Sequence, residues 1–253
     1  YIIRKVIQKH DAKAVPYINS AFKSKSRGLP LKIDLAEMLV LIEDKSANEL
    51  LLKLSKKHDS ALEKLGEIEN DEALTILLNV LNEKILKKGY KNYNDYKVYI
   101  ATERKISAIK ALSRLKNKAA VPRIISLLRS NDLKDGSELN EDSKEIIITT
   151  LESNNFMDIR FIPVLEEIID SVSADSNYFK KYNDESIARA FIMLAKFVVQ
   201  GDYPLADLMT KLQQHTAIST NLDEEFYAEI NVILKSNPKI AEEYISINGH
   251  VIP

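Results

Sequence analysis

The chain has 253 residues, of which 45% are hydrophobic, and this is enough apolar material for a large core. Six glycines and seven prolines supply few turns for a β protein, so the composition favours helices. The formal net charge of −1 gives no bulk attraction to nucleic acid or to an anionic membrane, and the absence of cysteine excludes disulfides and thiolate chemistry.

The first ten residues place Ile2, Ile3, Val6 and Ile7 on one helical stripe. This pattern is typical of the second helix of a two-helix unit whose first helix is missing, so we expect an array that begins in mid-repeat. Further along, apolar residues recur at helical spacing between short polar turns. The predicted helices fall in two interleaved sets: Ala47–Leu54, Leu74–Leu81, Val121–Leu128 and Leu205–Leu212 in one, and Leu35–Ile42 and Ile187–Leu194 in the other.

The chain shows an internal repeat. KHDAKAVPYI at 9–18 aligns with LKNKAAVPRI at 115–124, proline on proline. Proline suits the first turn of a helix, where its missing N–H would have had no partner. The mean separation of equivalent points is about 38 residues, the length of a two-helix solenoid repeat. These points are Pro16, Glu49, Thr75, Pro122, Pro163 and Pro204.

Two stretches resemble HEAT repeats: SAIKALSRLKNKAAVPRIISLLRSND at 107–132 and, more loosely, SALEKLGEIENDEALTILLNVL at 60–81. In that family a helix reading A-x-x-A-L-x-x-L is followed by a turn and a helix reading A-V-P-x-L-x-x-L-L. The resemblance implies an all-α, right-handed α-solenoid of about six HEAT-like helix pairs, forming one domain over 1–253. The family's second helices usually carry an arginine seven residues before the A-L leucine; here that place holds Lys32, His58, Lys105, Lys144 and Ile187.

Three insertions are expected, near 87–101, 130–141 and 172–183. The first contains GYKNYNDYKVYI, between an expected helix end at Lys88-Gly89 and an expected cap at Thr102. Tyrosines spaced by three residues fall on no single helical face, and the asparagines between them favour turns. The sequence therefore predicts an irregular loop.

The tyrosines of these insertions have two interpretations. Insertions at equivalent positions project from the same edge of a solenoid, where the loops either pack against each other or bind a partner. Tyr90 and Tyr99 adjoin the expected helix ends and are expected to pack. Exposed tyrosines are common interface anchors, and the candidates for partner contact are Tyr93, Tyr96, Tyr178 and Tyr182.

Residues opposite the packing stripe of the second helices change sign along the chain. Duplex DNA presents one charge per about 1.7 Å and needs a continuous basic track, so strong nucleic-acid binding is not expected. The resemblance implies that these helices line a concave side, where mixed charge is either a solvated face or a surface that discriminates between protein partners. The basic candidates for partner contact are Lys110, Arg114 and Arg189. The whole series is Asp34, Glu37, Glu63, Glu67, Lys110, Arg114, Glu145, Glu152, Arg189, Lys196, Glu225 and Glu229.

The sequence contains no pattern typical of a catalytic, cofactor or metal site. Its four histidines, His10, His58, His215 and His250, are far apart and lack ligand spacing, and no phosphate loop, dinucleotide fingerprint or nucleophile elbow occurs. We therefore predict a non-enzymatic scaffold that binds a protein partner and uses no cofactor. The alternative is a HEAT-like enzyme acting on nucleic acid, as a DNA glycosylase, or on a bound pigment, as a lyase; the absence of tryptophan favours the scaffold.

No stretch approaches the roughly 18 apolar residues of a membrane span. Abundant lysine, isoleucine and asparagine indicate a bacterial source with a low-GC genome. Because the chain starts at Tyr1 and not at methionine, export through an upstream signal or lipid anchor stays open beside a cytoplasmic location.

Overall fold

The computed structural model describes residues 15–23, 32–36, 38, 45–56, 58–68, 70–83, 91–130, 141–171, 184–218 and 224–248. Every regular element within these ranges is helical. The chain divides into two compact units, Tyr1–Ala120 and Val121–Pro253, here called unit 1 and unit 2.

Unit 1 contains five helices with complete bounds, and residues 32–36 form a further helical segment. α3 contacts α2 and α5, and α4 contacts α5. The core between them contains Leu51, Leu62, Leu77 and Leu112, all fully buried. The helices are α1 (Val15–Lys23), α2 (Lys45–Ser55), α3 (Asp59–Lys64, continued by a 3-10 turn at Leu65–Glu67), α4 (Asp71–Asn82) and α5 (Lys91–Arg114).

Unit 2 is built around α9, which contacts α7, α8, α10 and α11. Phe191 and Phe197 of α9 are fully buried, and Phe191 meets Phe226 edge to face. The helices are α6 (Val121–Arg129), α7 (Glu141–Ser153), α8 (Ile162–Asp170), α9 (Asp184–Gln200), α10 (Leu205–Ile218), α11 (Glu224–Lys235) and α12 (Pro238–Asn248).

The repeat points predicted from the sequence mark helix starts. Pro16, Pro122 and Pro163 are each the second residue of a helix, and Pro204 directly precedes α10. Glu49 and Thr75 lie one turn further in, each as the fifth residue of its helix. The first helices are therefore α1, α2, α4, α6, α8 and α10, and the second helices with complete bounds are α3, α5, α7, α9 and α11.

Three second helices end in the same way. Lys116, Asn155 and Gly201 have φ values of 49°, 48° and 84°, in the left-handed region. After α5, Lys116 N–H donates to the carbonyl of Ser113 and Asn117 N–H donates to that of Leu112. The same two bonds follow α7 and α9. This is the Schellman motif, which satisfies carbonyls that a helix end leaves without partners.

Two second helices carry a buried lysine at the place where the resembling family has arginine. Lys105 Nζ donates to the carbonyl of Glu83 at 2.5 Å, and Lys144 Nζ donates to that of Ser130 at 2.7 Å. Each carbonyl belongs to the residue just after the preceding first helix. A cation is favourable there because the last carbonyls of a helix carry partial negative charge. The lysine therefore joins a second helix to the end of the preceding first helix.

The expectation of an irregular loop over the tyrosine run is wrong for residues 91–101. α5 is one helix of 24 residues, Lys91–Arg114, and the expected cap Thr102 is a buried residue inside it. α4 ends at Asn82, before the expected end at Lys88. Whether 87–101 is an insertion in the repeat remains a prediction, as does the single-domain organisation. The expected half-repeat at 1–10 and the insertions at 131–140 and 172–183 lie outside the described residues.

Candidate partner-binding surface

The structure places four of the predicted contact residues inside unit 1. Tyr93 and Tyr96 lie in the first two turns of α5. Lys110 and Arg114 lie at the other end of α5. Arg189 lies on α9 of unit 2. Tyr178 and Tyr182 lie outside the described residues.

In unit 1 the charges of α3 and its 3-10 turn meet opposite charges of α5. Glu63 lies 2.8 Å from an Arg114 nitrogen and 3.6 Å from Lys110 Nζ. Asp59 lies 3.2 Å from Arg104, and Glu67 lies 3.9 Å from Arg114. We call this set the unit-1 face. Its three carboxylates are on the α3 segment and meet three cations of α5, and Lys64 of α3 adds a further cation 3.0 Å from Glu67, so the face has no surplus of carboxylates.

In unit 2 the cations lie on the central helix. Arg189 reaches carboxylates of three helices: Glu185 of α9 at 2.8 Å, Glu229 of α11 at 3.7 Å and Glu152 of α7 at 3.9 Å. Lys196 pairs with Glu152 as well. Helical spacing puts Glu145 on the stripe of Glu152, and Glu225 on that of Glu229. We call these seven residues the unit-2 face; five are carboxylates and two are cations.

The surroundings of Arg189 favour its charged state. Burial lowers the pKa of the guanidinium, but its hydrogen bond to Glu185 and the charges of Glu185, Glu229 and Glu152 raise it more. The net pKa therefore lies above its ordinary value, and Arg189 is a permanent cation that links α7, α9 and α11.

Unit 2 also has ion pairs between first helices. Arg129 of α6 binds Glu167 of α8 through two nitrogen–oxygen contacts, of 2.8 and 2.5 Å. Lys211 of α10 lies 2.8 Å from Asp170 of α8. Tyr203 donates its hydroxyl to Glu166 at 2.9 Å, and burial, this bond and nearby carboxylates raise the pKa of the phenol well above its usual range.

In each unit the described residues form a groove that the sequence does not predict directly. In unit 1, a groove of about 550 Å³ runs between the turns that follow α3 and α5, with Asn70 and Asp71 on one wall, Arg114 and Lys116 on the other, and Leu74. In unit 2, a groove of about 330 Å³ is lined mainly by α9 and α11. The one signal in the sequence for the second groove is Val232, which follows Glu225 at a spacing of seven residues and so shares its stripe.

In the described part of the chain, no group of three or more metal-binding side chains is close enough together to hold an ion. Among the same residues, no helix combines the length and apolar character that crossing a bilayer requires.

Residues 105–130 match the family model described as the PBS lyase HEAT-like repeat. The match runs from Lys105 of α5 through a 3-10 turn at Lys118–Ala120 into α6, and it overlaps the stretch at 107–132 where the sequence itself resembles a HEAT repeat. The protein therefore contains a HEAT-like repeat, and its described residues form an all-α fold consistent with an α-solenoid. No curated protein and no solved structure matches the chain at a significant level.

Proposed function

We propose that the protein is a non-enzymatic scaffold that binds another protein on the faces of its second helices. The observation that carries the proposal is the set of ion pairs across neighbouring second helices, from α3 to α5 and across α7, α9 and α11. Side chains held in this way are ordered before a partner arrives, which lowers the entropy cost of binding. Mixed charges at fixed positions favour discrimination between partners.

The second part of the proposal is that the tyrosines of the expected insertions contact the partner. Tyr93 and Tyr96 lie on one helix, α5, whose other end carries Lys110 and Arg114 of the unit-1 face. A partner that extends along α5 would meet both sets, and tyrosine and arginine are residue types enriched among interface hot spots. Tyr178 and Tyr182 are included because their insertion is expected at the equivalent position of a later repeat.

Hydrogen exchange tests where the partner binds. The native partner is captured on the full chain, purified, and added back, and amide exchange is compared with and without it. We expect slower exchange in second helices α3, α5, α7, α9 or α11, and little change in first helices α6, α8 and α10. Protection confined to the first helices would contradict the proposal.

Two matched variants test the same point by affinity. Glu229→Gln removes a carboxylate charge from the second helix α11, and Glu167→Gln removes one from the first helix α8; both carboxylates face an arginine and are exposed to a similar degree. Neutralising a charge at an interface weakens binding mainly when the charge lies inside that interface. We expect Glu229→Gln to weaken partner binding and Glu167→Gln to leave it unchanged, as measured by calorimetry.

The second candidate is a lyase-like enzyme acting on a bound pigment. It is favoured by the match to a HEAT-like repeat family that is described after a lyase. The match covers residues 105–130, from the C-terminal part of α5 through a turn to α6. Turnover of an added pigment by the purified chain would replace the scaffold proposal, and so would turnover of nucleic acid.

A further inference from the structure

The groove of unit 2 lies near the C-terminal ends of α9 and α11. Val199 and Gln200 line it from α9, and Val232 and Ile233 line it from α11. Val232 is 71% exposed, although most large apolar side chains in the described part of unit 2 are buried. An exposed aliphatic side chain on the wall of a concave surface can contact an apolar group of a ligand.

The groove is continuous with the unit-2 face. On α11, Glu225, Glu229 and Val232 follow each other at spacings of four and three residues and so form one stripe. On α9, Arg189, Lys196 and Val199 follow at seven and three. A ligand seated in the groove and extending along these helices therefore passes over the carboxylates of the face.

The charge of the unit-2 face determines which charge it favours in a ligand. Without counting Glu145, the unit-2 face has four carboxylates against two cations, and both cations are engaged: Arg189 with three carboxylates and Lys196 with Glu152. Lys196 also lines the groove, but its pairing with Glu152 reduces its repulsion of an incoming cation. The surplus of negative charge favours a positively charged ligand.

We infer that the groove between α9 and α11 receives an apolar side chain of a basic, amphipathic segment of the partner protein, whose lysine or arginine side chains lie along Glu229 and Glu225. This inference rests on the proposed function and adds to it the place of binding and the chemistry of the partner. The groove of unit 1 supports no such assignment, because its walls oppose Arg114 and Lys116 to Glu67 and Asp71 and its charges balance.

The direct test uses synthetic peptides and does not require the native partner. Three fluorescein-labelled peptides of about 18 residues, or five helical turns, are titrated with the full chain at about 150 mM salt and read by fluorescence anisotropy. The first peptide has leucine on one face and lysine on the other face of an amphipathic helix. The second has glutamate in place of lysine, and the third has serine in place of leucine. We expect the leucine–lysine peptide to bind at least about ten-fold more tightly than either of the others, because each of them lacks one of the two required features.

Matched variants locate the site. Val232→Asp places a charge at the wall of the groove, and Ile245→Asp makes the same kind of change at an aliphatic residue of α12 that is 63% exposed and does not line the groove. Glu225→Gln is compared in the same way with Glu242→Gln on α12. We expect Val232→Asp to lower the affinity for the leucine–lysine peptide about ten-fold or more, Glu225→Gln to lower it less, and the two α12 variants to leave it unchanged.

Three results would overturn the inference: equal binding of the leucine–glutamate peptide, unchanged binding by Val232→Asp, or an equal loss in Ile245→Asp. All four substitutions are at surface positions, and circular dichroism confirms that each variant is folded. Failure here is distinct from failure of the proposed function. A native partner that still protects the second helices would keep the scaffold and remove only this site.

Discussion

The unit-1 face and the unit-2 face are both made of ion pairs between second helices, but they distribute charge differently. In unit 1 three carboxylates of the α3 segment meet three cations of α5, and Lys64 of α3 adds a further cation beside Glu67. In unit 2 both cations belong to α9, with carboxylates on α9 itself and on α7 and α11. In unit 1 each carboxylate of the face meets a cation within the unit. In unit 2 the carboxylates of the face outnumber the cations.

The faces also differ in one feature of their packing. In unit 1 the 3-10 turn after α3 brings Gly66 against the backbone of α5, where a Cβ would lie 2.7 Å from Ala111 Cα. In unit 2 Glu152 of α7 is only 12% exposed and meets both Lys196 and Arg189 of α9. The packing of α3 against α5 in unit 1 thus requires a glycine at position 66, whereas α7 and α9 in unit 2 are linked through a partly buried carboxylate.

The largest effect is expected where the backbones touch. Gly66→Ala should destabilise unit 1 by about 1 to 3 kcal/mol, because the clash is with backbone atoms of Ala111 that can move only with α5. The measurement is urea unfolding, with hydrogen exchange to localise the change to α3 and α5. Wild-type stability in Gly66→Ala would show that the two helices separate without cost.

Gly201 provides the matched control in unit 2. Nothing lies within 4 Å of a Cβ built there, but its φ of 84° is unfavourable for residues with side chains. Asparagine tolerates this region better than alanine, so Gly201→Asn should cost less than Gly201→Ala. At Gly66 the order should be reversed, since the larger side chain meets the same backbone. The same order at both glycines would contradict this distinction.

The second-largest effect on stability is expected for a carboxylate of the unit-2 face, compared with a carboxylate of the unit-1 face. Glu152→Gln should cost about 1 to 3 kcal/mol, because it leaves Lys196 and Arg189 without their shared counterion in a partly buried place. Glu63 also meets two cations, but it is 25% exposed and both cations keep contact with water, so Glu63→Gln should cost about 0.2 to 1 kcal/mol. Urea unfolding of the two variants gives the comparison.

Salt provides the control for this pair. Screening should reduce the smaller loss in Glu63→Gln more completely than the larger loss in Glu152→Gln when both are measured again at about 1 M salt, where the Debye length is about 3 Å. Equal losses for the two variants at both salt concentrations would show that the faces do not differ in burial.

The sequence predicted the helices better than it predicted the surface. Apolar spacing and proline positions placed α2, α4, α6, α9 and α10 because helical period and first-turn proline are local properties. Sign alternation along the second helices was visible too. The contacts of Arg189 with Glu152 and Glu229 were not, since those glutamates lie 37 and 40 residues away in the chain and only packing brings them together.

For the tyrosine run, the prediction of local structure from the sequence was itself wrong over residues 91–101. The asparagines between the tyrosines favour turns when taken alone, yet the run continues into a helix of 24 residues. Local turn preference amounts to a few tenths of a kcal/mol per residue, and an adjoining helix that is already packed can outweigh it, because adding residues to an existing helix avoids the cost of nucleation. The buried half of α5, with Ala108, Ile109 and Leu112, provides that packing.

The third effect is a dependence on pH that unit 2 should show. The Tyr203 hydroxyl donates to Glu166, and its pKa is raised in the folded protein, so the folded state holds this proton more tightly than the unfolded state. The stabilisation is complete below the ordinary tyrosine pKa of about 10 and is lost as pH rises above it. Tyr203→Phe should cost about 1 kcal/mol at pH 7 and should flatten the fall in stability above pH 10. An unchanged slope in Tyr203→Phe, measured by urea unfolding from pH 8 to 11, would assign the fall to other groups.

The smallest expected effect is a gain in stability, at the ends of the second helices. Lys116, Asn155 and Gly201 occupy the same left-handed position after α5, α7 and α9, and lysine is the least suited of the three because its side chain crowds the backbone there. Lys116→Gly should therefore stabilise unit 1 by about 0.5 to 1 kcal/mol. Asn155→Gly should change unit 2 by less, since asparagine already tolerates the conformation. Urea unfolding of both variants tests the order. A loss of stability in Lys116→Gly would mean that the lysine charge, placed beside the C-terminal carbonyls of α5, contributes more than the backbone strain costs.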